Sequence, residues 1–563
     1  MGSQTTGKIS EVRSCPLLSR RQIEGMIAEG HAVFIVDQCV IKGDAWLKYH
    51  PGGDKSILHM VGRDATDEVT VLHSPETKKQ MLRYRVGKIE GRWRNFLPPI
   101  QGGRFRPLIE AQEDDEDEYE ASVPDTRTTR SSSDASSRQS SPVFEADEST
   151  LRHRLEADSL SSAASSVLDE ETGQTAAGFL DSETRKEISL DLDKYPSLNA
   201  DTQDEIVRKY RLLNERIKAE GLYECGPTAY VVEIIQNSVF LCGMLVLLSW
   251  RWYASSAIFL GLFWRQLVFI GHDSGHMGVT HDFHIDSCIA IFIADFLGGL
   301  SMGWWKRNHN IHHIVTNHPE HDPDIEYMPI FAVSHRFLGN LKSTYYDRLM
   351  VNDAFAKVLL RIQAYTYYPI MLFARFNLYF LSWDHLLARR GPKHGPASYH
   401  WWLEMAGQVF FWTWFGYGIL YKTLPTNWDR LIFILVSHML QLPLHVQFTL
   451  SHFAMSTADL GPGESFPQKM LRTTMDIDCP TWLDLFHGGL QFQAIHHMYP
   501  RIPRHNLRRT QKLVQEFCDE VGIPYALYGF VDSNKCVVGK LNDVSRQAAI
   551  FAECQKKAAQ HIF

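Results

Sequence analysis

The stretch GHDSGHMGVTHDFHID, residues 271–286, opens on two histidines four apart, His272 and His276. On a helix that spacing puts both rings on one face. RNHNIHH (307–313) sets His309, His312 and His313 at i, i+3 and i+4, and QAIHH (493–497) repeats that geometry with Gln493, His496 and His497. Each set lies just beyond a hydrophobic block, and His452 in QFTLSHF (447–453) leaves another such block at the same level. Eight imidazoles and one amide are enough for two metal ions sharing a site. Imidazole suits iron, zinc, copper and nickel alike, so ligand type alone leaves the metal open. There is no Glu-x-x-His pair, the mark of carboxylate-type di-iron bundles, and no HExxH zinc-protease helix.

The blocks beside these histidines read as membrane segments. SVFLCGMLVLLSW (238–250) and WYASSAIFLGLFWRQLVFIG (252–271) are separated only by Arg251. MAGQVFFWTWFGYGILY (405–421) follows, and then a run from Leu431 to Leu450 without Asp, Glu, Lys or Arg. A bilayer core takes about 20 apolar residues per helix, so two helical hairpins, or four spans, are expected. Trp250, Trp252 and Tyr421 at the block ends suit an aromatic belt. IAIFIADFLGGLSMG (289–303) is short and carries Asp295, which predicts a buried or interfacial segment. Lys357, Arg361 and Arg375 interrupt 354–382, which predicts an amphipathic helix lying on the membrane. An even number of spans puts 272–403 and the region after 452 on one side. Eleven Lys/Arg between Lys306 and Lys393 make that side cytosolic by the positive-inside rule.

Upstream of the blocks the chain changes character. Residues 111–180 hold 17 Asp/Glu against 5 Lys/Arg, a local net of −12 that exceeds the −8 of the whole 563-residue chain. A net negative chain argues against a nucleic-acid binder. The tract EDDEDEYE (113–120) and 14 Ser between 121 and 170 predict a disordered linker over 100–195. Ser141-Pro142 is a candidate phosphorylation site. Order is expected to return at a helix through EIVRKYRLLNERIKAEG (205–221), capped by Thr202 with Glu205 and ended by Gly221. Nine Cys with no CxxC pair exclude a disulfide framework and a Cys-rich zinc site. The amino terminus shows no basic stretch followed by an apolar core, so no cleavable signal peptide is expected, while Gly2 and Thr6 match the myristoylation pattern.

Residues 8–95 mix short apolar runs such as HAVFIVDQCVI (31–41) with polar turns, as a small compact domain does. HPGG (50–53) sets His50 before a tight turn, and His73 in LHSPE lies 23 residues on. Two neutral imidazoles facing across a crevice can ligate haem iron from both sides, which leaves no open position and suits electron transfer. With no CxxCH the haem is expected to be noncovalent. His59 is the alternative to His73.

The stretch WLKYHPGGDKSILHMVGRDAT (46–66) resembles cytochrome b5, a likeness that covers about residues 10–90 and implies haem b with His50 and His73 as axial ligands. The spacing HxxxH, HxxHH and QxxHH resembles the membrane desaturase and hydroxylase superfamily, specifically its b5-fused front-end desaturases. With GWWKRNHNIHHIVTNHPEHDPDIEYMP (303–329) and GGLQFQAIHHMYPRIPRHNL (488–507), and with the acidic insertion, the chain looks most like fungal Δ8 sphingolipid desaturases. The fold then expected is multidomain: a small α+β cytochrome b5-like haem domain (8–95), the acidic linker (100–195), and an all-α membrane desaturase domain (196–563). The last has about four transmembrane helices and a cytosolic histidine-rich cap.

The resemblance implies two non-haem irons held by the eight histidines, His272, His276, His309, His312, His313, His452, His496 and His497, with Gln493 beside them. It also implies a Δ8, trans double bond placed in the long-chain base of ceramides with O2 as co-substrate. Electrons would come from an NADH-cytochrome b5 reductase through the fused haem, in the endoplasmic reticulum membrane. Alternatives are an acyl-lipid Δ5/Δ6 front-end desaturase and a b5-fused sphingolipid or fatty-acid hydroxylase. His281, His284, His318 and His321 lie outside the boxes and are read as structural, while Asp322 and Asp324 are placed to orient ligating histidines.

Overall fold

In a computed structural model the chain is described over residues 15–108 and 175–560. Gly2, Thr6, Ser141 and most of the expected linker lie outside those residues. The chain divides into two compact units, one comprising Met1–Leu47 and Met60–Ser136, the other Lys48–His59 and Ser137–Phe563.

In the first unit the strands Val33–Val36 and Cys39–Lys42 form an antiparallel hairpin, and Arg85–Lys88 pairs with the second of them. Two residues, Asp37 and Gln38, make the hairpin turn, both at positive φ (48° and 60°), as a type I′ turn demands. The apolar run of the hairpin is buried, and short helices Arg20–Ala28, Thr66–Leu72 and Pro75–Met81 cover it. Ser19 starts the first of these with a capping box completed by Gln22. This is the α+β arrangement expected of the haem domain.

The second unit is helical, and among the described residues three helices are long and apolar enough to cross a membrane: Pro227–Ser249, Tyr253–Gly275 and Asn427–Leu450. The first two form a hairpin turned by Arg251 at φ 64°. They differ in what surrounds them. Only 17% of the first is buried against 61% of the second, so the first presents Val232, Ile235 and Val239 outward while the second is the centre of the bundle. An unbroken apolar face of that size is unstable in water and stable in lipid. Trp264 sits at the heart of the second helix against Phe411, Phe415 and His438, and donates from Nε1 to the Leu297 carbonyl at 2.8 Å.

The remaining apolar segments depart from expectation in shape. The block 405–421 lies in the helices His400–Phe411 and Trp412–Thr423, the latter wound as a π-helix; its Trp, Tyr and Gly leave it outside the set of clearly apolar spans. The segment around 289–303 belongs to a bent pair, Phe283–Leu297 and Met302–Ile314, which turn by 119°. Counted as one, that pair raises the number of candidate spans to four. Residues 354–382 form two helices, Ala354–Met371 and Ala374–Leu387, not one. Their outer faces are apolar, with Phe355, Val358 and Phe380 exposed, but Arg375 is buried over the Trp264 ring, so it is a packing residue and not an interfacial charge.

Two expectations before the first span are corrected. The end of the expected linker is ordered: Ala176–Lys194 is a helix capped by Thr175. It buries Phe179 and Ile188, and its Asp191 meets Arg472 at 2.8 Å, with Glu464 on the other side of the guanidinium. Overall acidity hid these few inward positions. The next helix is Ala200–Ala219, capped by Asn199 and not by Thr202, which falls inside its first turn and donates its own N–H to Asn199 Oδ1. Asn outranks Thr as a cap, and the earlier start lengthens the amphipathic face that buries Ile206, Tyr210 and Leu213. Gly221, at φ 66°, ends it as expected. The C-terminal helix Phe530–Gln560 packs along Ala354–Met371, where Gln363 Nε2 donates to the Leu541 carbonyl at 2.8 Å.

Candidate metal centre

His272 occupies the last turn of Tyr253–Gly275, and His276 is the residue that caps it. Gly275 between them has a specific reason to be glycine. A Cβ there would run into the Trp305 ring, which lies 5.5 Å from the His272 ring and 5.3 Å from that of His276. Trp305 in turn stacks on His309 at 4.4 Å, so this indole seals one side of the cluster.

His309, His312 and His313 share the helix Met302–Ile314, which carries them onto the face that meets His272 and His276. The helix ends in a loop built around Asp322, a fully buried carboxylate. Asp322 accepts from His312 Nδ1 at 2.8 Å, from Asn317 N at 2.7 Å and from Asp324 N at 2.8 Å. Because the carboxylate only accepts, the His312 proton sits on Nδ1 and its Nε2 lone pair faces the cluster. Burial alone would raise the Asp324 carboxyl, but His312 and then His309 beside it draw it down to about 2. Asn317, at φ 58°, donates from Nδ2 to the His452 carbonyl at 2.8 Å and so ties this loop to the end of the last span.

The third set is delivered by the short helix Gln493–Met498. Ahead of it, Gly488 and Gly489 adopt positive φ (62° and 91°), and a Cβ at Gly488 would meet the Phe269 ring. From below, Tyr210 donates to the Met498 carbonyl at 2.8 Å and stacks on Tyr499 at 5.3 Å. Asp476 Oδ1 accepts from Ala494 N at 2.8 Å.

The outcome is a single cluster of all eight boxed histidines. His272, His276, His309 and His496 form one group with donor atoms within 4.8 Å of one another, and His312, His452 and His497 form another. His313 lies between the groups, its ring 4.8 Å from His276 and His496 and 4.3 Å from His497. Gln493 hydrogen-bonds the His452 ring. The four outlying histidines take structural partners: His281 the carbonyls of Met277 and Tyr223, His284 the Tyr399 hydroxyl, His318 Asp459, and His321 Thr344.

The donors fit transition-metal ions. Five buried imidazole nitrogens, on His276, His313, His452, His496 and His497, have no hydrogen-bond partner. Burial first, then neighbouring imidazoles, push His452, His496 and His497 well below the usual histidine range, so these rings are neutral lone-pair donors. A cluster built of buried imidazole nitrogens, with its carboxylates Asp322 and Asp324 engaged behind the rings, suits iron and its neighbours, not magnesium or calcium. Sequence patterns missed three supports here. Thr316 bonds both the His312 carbonyl and His497 Nδ1, Asn308 bonds Asp324, and Trp305 covers the rings. Only Thr316, four residues after His312, carries a spacing that hints at its role.

In the haem-domain segments His50 Nδ1 donates to the Gly53 carbonyl at 2.9 Å, which makes Nε2 the lone-pair nitrogen. His73 caps the helix Thr66–Leu72, with Nδ1 3.3 Å from the Val69 carbonyl, and His59 is fully buried.

Residues 248–529 match the fatty acid desaturase model and residues 20–90 match that of the cytochrome b5-like haem/steroid-binding domain. The chain belongs to the fatty acid desaturase family. This desaturase is 57% identical to a Delta 8-(E)-sphingolipid desaturase of Emericella nidulans over 97% of each chain. Proteins of the same name from Kluyveromyces lactis and Candida albicans are 45% and 42% identical over 96% of this chain, covering 94% and 97% of theirs. A Delta(8)-fatty-acid desaturase of Arabidopsis thaliana is 36% identical over 61% of this chain and 76% of its own. The protein is thus an oxidoreductase of membranes that desaturates lipid, with its cytochrome b5 fused in the same chain. Its two domains imply haem and iron respectively.

Proposed function

We propose that this desaturase places an E double bond between C8 and C9 of the long-chain base of ceramides, using O2 and electrons from its own cytochrome b5 domain. The observation that carries the proposal is near end-to-end similarity to Delta 8-(E)-sphingolipid desaturases, b5 domain included. The net reaction takes two hydrogens from neighbouring methylenes and consumes one O2, two electrons and two protons, giving two waters. His50 and His73 would hold haem b noncovalently, and that group would supply electrons singly to a reaction that needs two. An NADH-cytochrome b5 reductase is the expected source, at the cytosolic face of the endoplasmic reticulum. The domain limits that go with this reading are 8–95 for the haem domain and 196–563 for the desaturase domain, with the linker of 100–195 shortened at its end by the helix Ala176–Lys194.

Two iron ions held by the eight histidines would supply the oxygen activation needed to break unactivated C–H bonds. The chain's own part is to hold the rings in place and keep them dry. Asp322 fixes the His312 tautomer, Gly275 admits Trp305 against three rings, and Tyr210 with Asp476 steadies the helix of His496 and His497. Gln493 acts through His452 and need not touch metal. Asp322→Asn removes the buried charge beneath His312 while keeping its shape, and iron affinity is expected to fall about tenfold. Iron per protein after dialysis against a graded chelator measures it, and unchanged retention would remove Asp322 from this role.

The substrate assignment is tested by expressing the full chain in a host that lacks the modification and profiling its sphingoid bases. A base two mass units lighter with unsaturation at C8 is expected. A gain of one oxygen would make the protein a hydroxylase, and unsaturated acyl chains with intact bases would make it an acyl-lipid Δ5/Δ6 enzyme.

A further inference from the structure

Away from the histidine cluster, a second polar group is buried where the bent pair turns. Glu404 and Gln408 lie one turn apart on His400–Phe411, so both side chains share a face, and they are 3% and 0% exposed. Glu404 Oε2 accepts from Ser301 Oγ at 2.5 Å and from Gly303 N at 3.0 Å. Gln408 Nε2 donates to Asp295 Oδ1 at 3.1 Å, while Asp295 Oδ2 accepts from Met302 N at 3.2 Å. With its amide turned that way, Gln408 Oε1 is left buried with no partner, as is Nδ1 of His385. Glu404 Oε1 and His385 Nε2 both border the spot above Gly303, 2.6 Å and 3.2 Å from where a Cβ would stand. Among the described residues neither Asp295 nor Glu404 is in an ion pair.

A helix N-terminus needs the oxygens that face it, and Asp295 and Glu404 Oε2 meet that need. It does not account for the leftover acceptors, which cost free energy when buried unless a donor fills them. We propose that Glu404 and Gln408 accept hydrogen bonds from the amide N–H and a hydroxyl of the substrate's long-chain base, and so set which carbons reach the histidine cluster. Asp295 and Ser301 position the two acceptors.

The chemistry is complementary. The polar end of a ceramide offers an N–H and two O–H donors, whereas an acyl ester offers acceptors only. The spacing agrees as well. Six residues of helix separate Gly303 from His309, roughly 9 Å. In the substrate, C8 lies six carbon–carbon bonds from the amide-bearing C2, roughly 8 Å of extended chain at ordinary bond lengths. The site also lies one turn from Tyr399 and His400, whose neighbours Phe283 and His284 begin the bent pair, so it is near one end of the bundle, where a lipid head belongs.

This inference rests on the ceramide reading above, and one experiment separates the two. Microsomes containing the full-length protein are offered N-acyl sphinganine and its ester analogue, in which oxygen replaces the amide N–H. The wild type is expected to favour the amide by about tenfold, the worth of one well-made buried hydrogen bond. In Glu404→Gln the carbonyl oxygen can still hold Ser301 and Gly303 while the free acceptor becomes a donor, and the preference is expected to fall to within about threefold. Gln408→Met leaves the Glu404 contacts intact and keeps the test open if the first variant does not accumulate; it is expected to reduce the preference severalfold and to spread the double bond over neighbouring positions. Equal losses on both lipids, or an unaltered preference with double bonds still confined to C8, would overturn the inference and leave the two residues as clamps on the turn. No Δ8 product from the wild type on either lipid would instead overturn the ceramide reading.

Discussion

His312→Ala is expected to eliminate the desaturated lipid while the haem absorption band stays at full height. His312 borders both halves of the cluster: its ring is 4.6 Å from His452 and 4.8 Å from His497 in its own group and 5.6 Å from His309 in the other, and Asp322 holds it from behind. Changing a residue behind a ligand already costs up to about a hundredfold in metal sites, so removing the ring itself costs more than that. Product per haem by lipid mass spectrometry, together with iron content, reads the effect. His497→Ala has no buried carboxylate beneath it to strand and is expected to give the same loss, which separates metal loss from misfolding. Persistence of product in both variants would show that the cluster is not where the lipid is oxidised.

His50→Ala has the complementary signature. The haem band is expected to disappear and the iron to remain, because the Nδ1–Gly53 bond that orients this ring belongs to the haem-domain segment and no cluster histidine bonds to it. Desaturation is expected to fall about a hundredfold in a host without free cytochrome b5, the loss that follows when a tethered donor is replaced by none at matched concentration. Adding soluble cytochrome b5 in excess restores part of it. A haem band that survives the substitution would remove His50 as an axial ligand. The opposite behaviour of the two variants distinguishes electron supply from oxygen chemistry within one polypeptide.

The sequence carried the chemistry better than the architecture. Three histidine sets were legible because ligation imposes i, i+3 and i+4 spacing on a helix, and the structure brings all eight rings together. His452 was reachable only by its position at a block end, and its tie to Asn317 is invisible in sequence, where 135 residues separate them. Helix Ala176–Lys194 was hidden because its inward residues are few and their partners, Arg472 and Lys540, are hundreds of positions away. The capping-box pattern points to Thr202 with Glu205, while Asn199, an equally legitimate cap three residues earlier, carries no such partner to mark it. The run 405–421 reads as one apolar block, although Gln408 within it and Glu404 just before it face inward. A polar residue in a hydrophobic run has the same letter whether it is tolerated or used, and only its neighbours, here Asp295 and Ser301, tell the cases apart.

The brace between Tyr210 and Met498 spans 288 residues of chain. As the polypeptide leaves the ribosome, Tyr210 is therefore made long before the segment it supports, and His272 waits through most of the second half of synthesis for His496 to arrive. The rings cannot close around anything until that late helix has docked. Metal that needs both groups of rings is thus expected to enter only after every candidate span has been made.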